Sequence, residues 1–69
     1  MNTSYSQLHQ YFAKSNVPAV VFYDGYDFRI TPLEDGRFKL EDRDVNSNWF
    51  EVKESPFNDL YDVWLYVTR

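Results

Sequence analysis

Sixty-nine residues, a formal net charge of −4 and no cysteine allow one small hydrophobic core and exclude a disulfide framework or a thiolate metal site. No apolar run nears the ~20 residues of a membrane span, and the N-terminus lacks the basic start and apolar stretch of a signal peptide, so a soluble, cytoplasmic protein is expected. Fourteen residues are Phe, Tyr or Trp, more rings than so small a core can bury, so some of them should meet a partner.

The chain opens with Ser4-Tyr5-Ser6-Gln7, which has the spacing of a capping box. Tyr5, Leu8 and Phe12 then follow on one stripe, which predicts a helix over residues 5–14 that Asn16 and Pro18 end. Ala19–Tyr23 and Tyr26–Thr31 are two β-rich runs separated by Asp24-Gly25, a two-residue hairpin signal. That loop sets Tyr23 opposite Tyr26, Val21 opposite Phe28 and Ala19 opposite Ile30, all on one face.

A second turn lies at Glu34-Asp35-Gly36. A two-residue loop would put Phe38 and Leu40 on the face opposite Ile30. A three-residue loop with Gly36 left-handed pairs Ile30 with Leu40 and Pro32 with Phe38, gathers the apolar residues on one face, and is therefore expected. After a polar loop over residues 43–48, Trp49–Lys53 alternates as a strand. Pairing Phe50 with Leu40 and Val52 with Phe38 adds both to the core face.

The C-terminus reads two ways. Ser55-Pro56 resembles an N-cap followed by proline at the first helical position, and Phe57, Leu60, Tyr61 and Trp64 have helical spacing. Residues 63–68 are rich in β-branched and aromatic side chains, which favours a helical turn over about 56–61 followed by a final strand over 63–68; one continuous helix is the alternative. The fold class is thus α+β: an N-terminal helix packed on a four- to five-stranded antiparallel meander sheet.

The same registers define the opposite face of the sheet. One row reads Val20, Arg29, Glu41, Trp49; beside it lie Phe22 with Asp27, and Thr31, Lys39 and Glu51, with Lys39 facing Glu51. A tryptophan in a charged row is a candidate anchor for a partner, unless the C-terminal segment folds over it. Acids also gather in turns and strand ends, at Asp24/Asp27, Glu34/Asp35 and Glu41/Asp42/Asp44.

Residues 1–23 hold no acid and one base, Lys14, while residues 24–69 hold eleven acids and six bases. This distribution disfavours direct nucleic-acid contact and suits a protein partner with a basic surface. Catalytic patterns are not found: His9 is the only histidine, and Gly25 and Gly36, the only glycines, are used in turns. The run from Asp42 to Asn48 alternates oxygen ligands like a calcium loop, but Ser47 replaces the required glycine and Lys53 the bidentate glutamate. No cofactor or metal is expected.

These features point to a non-catalytic protein-binding module, a small acidic inhibitor or accessory protein that occludes its partner. Trp49, Arg29, Glu41, Phe22, Asp27, Glu51, Glu34, Asp35, Asp42 and Asp44 are its candidate contact residues. One alternative is a nucleic-acid mimic whose carboxylates occupy a basic groove of a nuclease or DNA-binding protein. The other is a self-associating structural subunit, with surplus rings buried in a homodimer.

Overall fold

A computed structural model of the chain describes residues 4–44 and 46–69. Met1–Thr3, part of the segment read for a signal peptide, and Val45, in the polar loop read against the calcium pattern, lie outside them. The element order is α1 (Tyr5–Lys14), β1 (Ala19–Tyr23), β2 (Tyr26–Pro32), β3 (Phe38–Arg43), β4 (Phe50–Glu51) and α2 (Leu60–Thr68). The strands form one antiparallel meander in the order β1-β2-β3-β4. The architecture is α+β, with a helix at each end of the described chain.

Local signals place the first half. Ser4 caps α1: its hydroxyl accepts from the Gln7 backbone N–H at 3.2 Å, and Gln7 Oε1 accepts from the Ser4 N–H at 2.9 Å. Asp24 and Gly25 both have positive φ, at 51° and 86°, which is what a two-residue hairpin loop of primed type requires. The expected register follows, with Tyr23 opposite Tyr26 and Ala19 opposite Ile30. The second turn takes the three-residue form, with Gly36 at φ 89° and Ile30 opposite Leu40.

One cluster forms the core: Leu8 of α1, Val21, Phe28, Ile30, Leu40 and Val52 of the sheet, and Leu60, Val63 and Val67 of α2. Both helices therefore cover the same face of the sheet. Each fully buried aliphatic side chain in this cluster contributes about 1.5–3 kcal/mol.

Two expectations fail, for one connected reason. Residues 60–68 are helix, so the final strand over 63–68 does not exist, and the cap is Asp59, whose carboxylate accepts from the Asp62 N–H at 2.9 Å, rather than Ser55. Leu60, Val63 and Val67 are buried while Leu65 is exposed, a helical period; core contact overrides the β-preference of these side chains. The β4 register is also shifted by two: Asp42 pairs with Phe50 and Glu41 with Glu51, and the Val52 N–H donates to the Leu40 carbonyl at 3.0 Å.

Because the shift is even, Phe50 and Val52 keep their face, but Phe50 slides past the core and is 64% exposed. The Phe38 position that Val52 was expected to fill is taken by Phe57, which exchanges both backbone hydrogen bonds with Phe38, at 2.8 and 2.9 Å. The Phe57 ring also lies 5.6 Å from that of Tyr66 on α2, so one residue ties the edge of β3 to the helix. Tyr23 and Tyr26 lie on the helix-covered face but at its margin, and both are exposed.

Candidate functional site

The face of the sheet turned away from the helices carries the candidate site. The Asp24-Gly25 turn puts Val20 and Phe22 of β1 on it, together with Asp27, Arg29 and Thr31 of β2; β3 adds Lys39, Glu41 and Arg43. Neither helix reaches this face, since α2 spends its apolar stripe on the core on the other side. Val20 and Phe22 are 59% and 68% exposed.

Charged side chains on this face are organised in pairs. Arg29 grips Glu41 with two hydrogen bonds, Nε to Oε1 at 2.8 Å and Nη2 to Oε2 at 3.0 Å. Lys39 Nζ lies 4.0 Å from Glu41 Oε2, and the Glu41 side chain is only 11% exposed. The Arg29 hydrogen bonds, with the positive charges of Arg29 and Lys39, hold Glu41 below the ordinary glutamate range against the opposing effect of desolvation. Arg43 Nε donates to Asp27 Oδ2 at 3.2 Å.

Trp49 joins the two pairs. Its ring lies under both guanidiniums, with the central carbon of Arg29 at 4.6 Å and that of Arg43 at 4.3 Å from the ring centroid. Trp49 is half-buried with both arginines against its ring, while α2 packs on the core at the other face of the sheet. The shifted β4 register moves it out of the Glu41 row, which Glu51 takes, to the end of the Arg43 row. The expected Lys39–Glu51 pair is absent. Glu51 instead faces Glu41, and the repulsion is relieved because Glu41 is held by Arg29 while Glu51 accepts from Ser55 Oγ at 2.7 Å.

Of the ten residues singled out, the structure brings Trp49, Arg29, Glu41, Phe22, Asp27 and Glu51 onto this face. The other four lie elsewhere. Glu34 and Asp35 occupy the β2–β3 turn, where the Arg37 backbone N–H, at 3.0 Å, and then its side chain depress the Asp35 carboxyl. Asp42 sits across β3, opposite Phe28, on the helix-covered face, and Asp44 bonds Ser47 in the loop at the other end of the sheet. The acidic turns are thus split between the two ends of the sheet and do not form one row.

Arg43 was missed in the sequence because it was assigned to the loop, although the β3 alternation continued one step beyond Glu41 points to it. Among the described residues, no three His, Cys, Asp or Glu side chains cluster as a metal site, and no helix is long and apolar enough to cross a membrane. Comparison of the chain with protein-family models, curated proteins and solved structures finds no match.

Proposed function

We propose that the chain is a non-catalytic protein-binding module that docks through the open face of its sheet and acts as a small accessory or inhibitory protein by covering a partner's surface. The observation that carries this reading is the juxtaposition of exposed Val20 and Phe22 with a Trp49 ring held by two arginines that are themselves tied to carboxylates. Side chains already fixed by mutual contacts lose little rotamer freedom on binding, which favours affinity. Aromatic and arginine side chains are also those that dominate interface energetics.

Electrostatics shapes the approach more than the contact. Arg29, Lys39 and Arg43 are balanced on the face by Asp27, Glu41 and Glu51, so the docking surface is close to neutral. The overall charge of −4 then steers the chain toward a basic protein surface without a charge-dominated interface. The cysteine-free chain suits a cytoplasmic site of action.

Capture from lysate of the native host tests this reading. Trp49→Ala should lose the captured protein, Glu34→Gln should keep it, and capture should survive a change from low to moderate salt. Binding indifferent to Trp49, or abolished by moderate salt, would overturn face docking; the second result would instead favour the nucleic-acid mimic.

A further inference from the structure

The free edge of β1 carries a second surface, which borders the open face and shares Val20 and Phe22 with it. In a two-residue hairpin the closing pair, Tyr23 and Tyr26, is hydrogen-bonded, so Val21 and Ala19 also point their backbone groups at β2. The N–H and C=O of Val20 and Phe22 therefore point outward. Among the described residues no other segment pairs with β1, which is the terminal strand of the sheet. Such an edge is a template for another strand unless it carries a charge, a proline, a bulge or a cover. Ala19-Val20-Val21-Phe22-Tyr23 carries no charge and no proline.

We propose that β1 pairs antiparallel with β1 of a second copy of this chain, with Val21 on the two-fold axis. In that register Val20 faces Phe22 of the second copy, and Phe22 faces its Val20. Both are outward-pointing positions, so each pair exchanges two backbone hydrogen bonds, four in all. The most exposed apolar side chains of the open face, Phe22 and Val20, then cover one another as cross-strand pairs. The two-fold runs normal to the sheet and leaves the helices of both copies on the same side of one continuous sheet.

Charge permits a second copy as occupant, and the Val20–Phe22 register makes the strip complementary to itself. Two chains of charge −4 repel wherever their acids meet, but every acid lies in residues 24–69. The groove beside the edge, lined by Gln7, Leu8, Tyr11 and Lys14 of α1 with Ala19 and Val20, contains no carboxylate either. This strip is where two copies can approach without like-charge acidic contact. A five-residue strand pair is a small interface, so the association is weak and concentration-dependent.

The pairing rests on backbone groups at the edge and shares Val20 and Phe22 with the docking face but not Trp49, so the Trp49 variant separates failure of the one from failure of the other. Sedimentation of the wild type up to about 1 mM, a range suited to weak association, should show mass rising from monomer toward dimer. Hydrogen exchange at the Val20 and Phe22 amides should slow in step. Val20→Pro removes one outward donor and no bond to β2, and Phe22→Lys places a charge on the edge beside Asp27; both should stay monomeric with an unchanged circular dichroism spectrum. Trp49→Ala should dimerise as the wild type does. A wild type that stays monomeric throughout, a dimer that survives both edge variants, or one that Trp49→Ala dissolves would each overturn the proposal, the first leaving the edge to a strand of another protein.

Discussion

The two edges of this sheet are built on opposite plans. At the β4 side, the strand proper is two residues long, Phe50–Glu51, and the chain then leaves the ladder. It returns to seal β3: the Leu40 N–H donates to the Ser55 hydroxyl at 3.0 Å, and Phe57 pairs with Phe38. Short length, the charges of Lys53 and Glu54 and the proline at position 56 are all devices that discourage a further strand. At the β1 side, a five-residue run of alanine, valines and aromatics ends the sheet with none of them. The first edge serves folding, because closing it helps complete the core; the second, among the described residues, leaves its outward hydrogen-bonding groups unpaired.

The comparison predicts where stability resides. The largest loss should come from Leu40→Ala, since Leu40 is fully buried and its backbone holds both Val52 and Ser55. A cost of about 2–5 kcal/mol is expected from the cavity and the lost transfer energy. Urea denaturation would measure it, and a change under 1 kcal/mol would mean that the sealed edge does not depend on the core beneath it. Next in size is Ser55→Ala. It leaves the Leu40 N–H, the donor of a fully buried residue, without its partner, at a cost of about 1–3 kcal/mol. Faster exchange of the Leu40 amide should accompany the loss; unchanged exchange would show that the hydroxyl is not what closes this edge.

The same contrast explains what could be read from the sequence. The bare edge belongs to a hairpin whose turn, register and facing residues are set within a dozen positions, so Asp24-Gly25 sufficed to place Val20, Phe22, Asp27 and Arg29 on the open face. The three-residue loop at Gly36 extended that frame to Glu41. The sealed edge is set by Phe57 reaching back to Phe38 and by α2 docking behind it, contacts between residues distant in sequence. Propensity pointed the wrong way there: Val63, Trp64, Tyr66 and Val67 favour strand in isolation, and burial of Leu60, Val63 and Val67 on one helical stripe overrules them. Once the β4 register slipped by two, Trp49 moved from Glu41 to Arg43, which is why its two-arginine cover was not foreseen.

A smaller effect should appear as pH dependence across β2 and β3, the strands that join the edges. Glu41 is depressed by Arg29, so its folded pKa lies below its unfolded one. Its contribution is fully present above the ordinary glutamate value, about 4.3, and is lost as pH falls through the lower folded value. Wild-type stability should therefore fall on acidification below that ordinary value. Glu41→Gln, which has no proton to gain, should be less stable at neutral pH and fall less steeply. Parallel acid profiles for the two proteins would show that the pair adds nothing to the fold.

The smallest effect sharpens the comparison most. Phe22→Lys, measured well below the concentration at which copies associate, should change folding stability by no more than about 0.5 kcal/mol. Its side chain is 68% exposed, its backbone groups bond nothing within the described chain, and Asp27 stands directly across the strand pair to receive the new charge. At high concentration the same substitution should remove the added stability that association confers on the wild type, because only the folded chain offers a paired edge. Equal unfolding midpoints for wild type and Phe22→Lys in dilute solution, diverging as concentration rises, would mark β1 as an edge kept for association. A large loss already in the dilute monomer would instead make Phe22 part of the fold, and the two edges would then differ in chemistry but not in purpose.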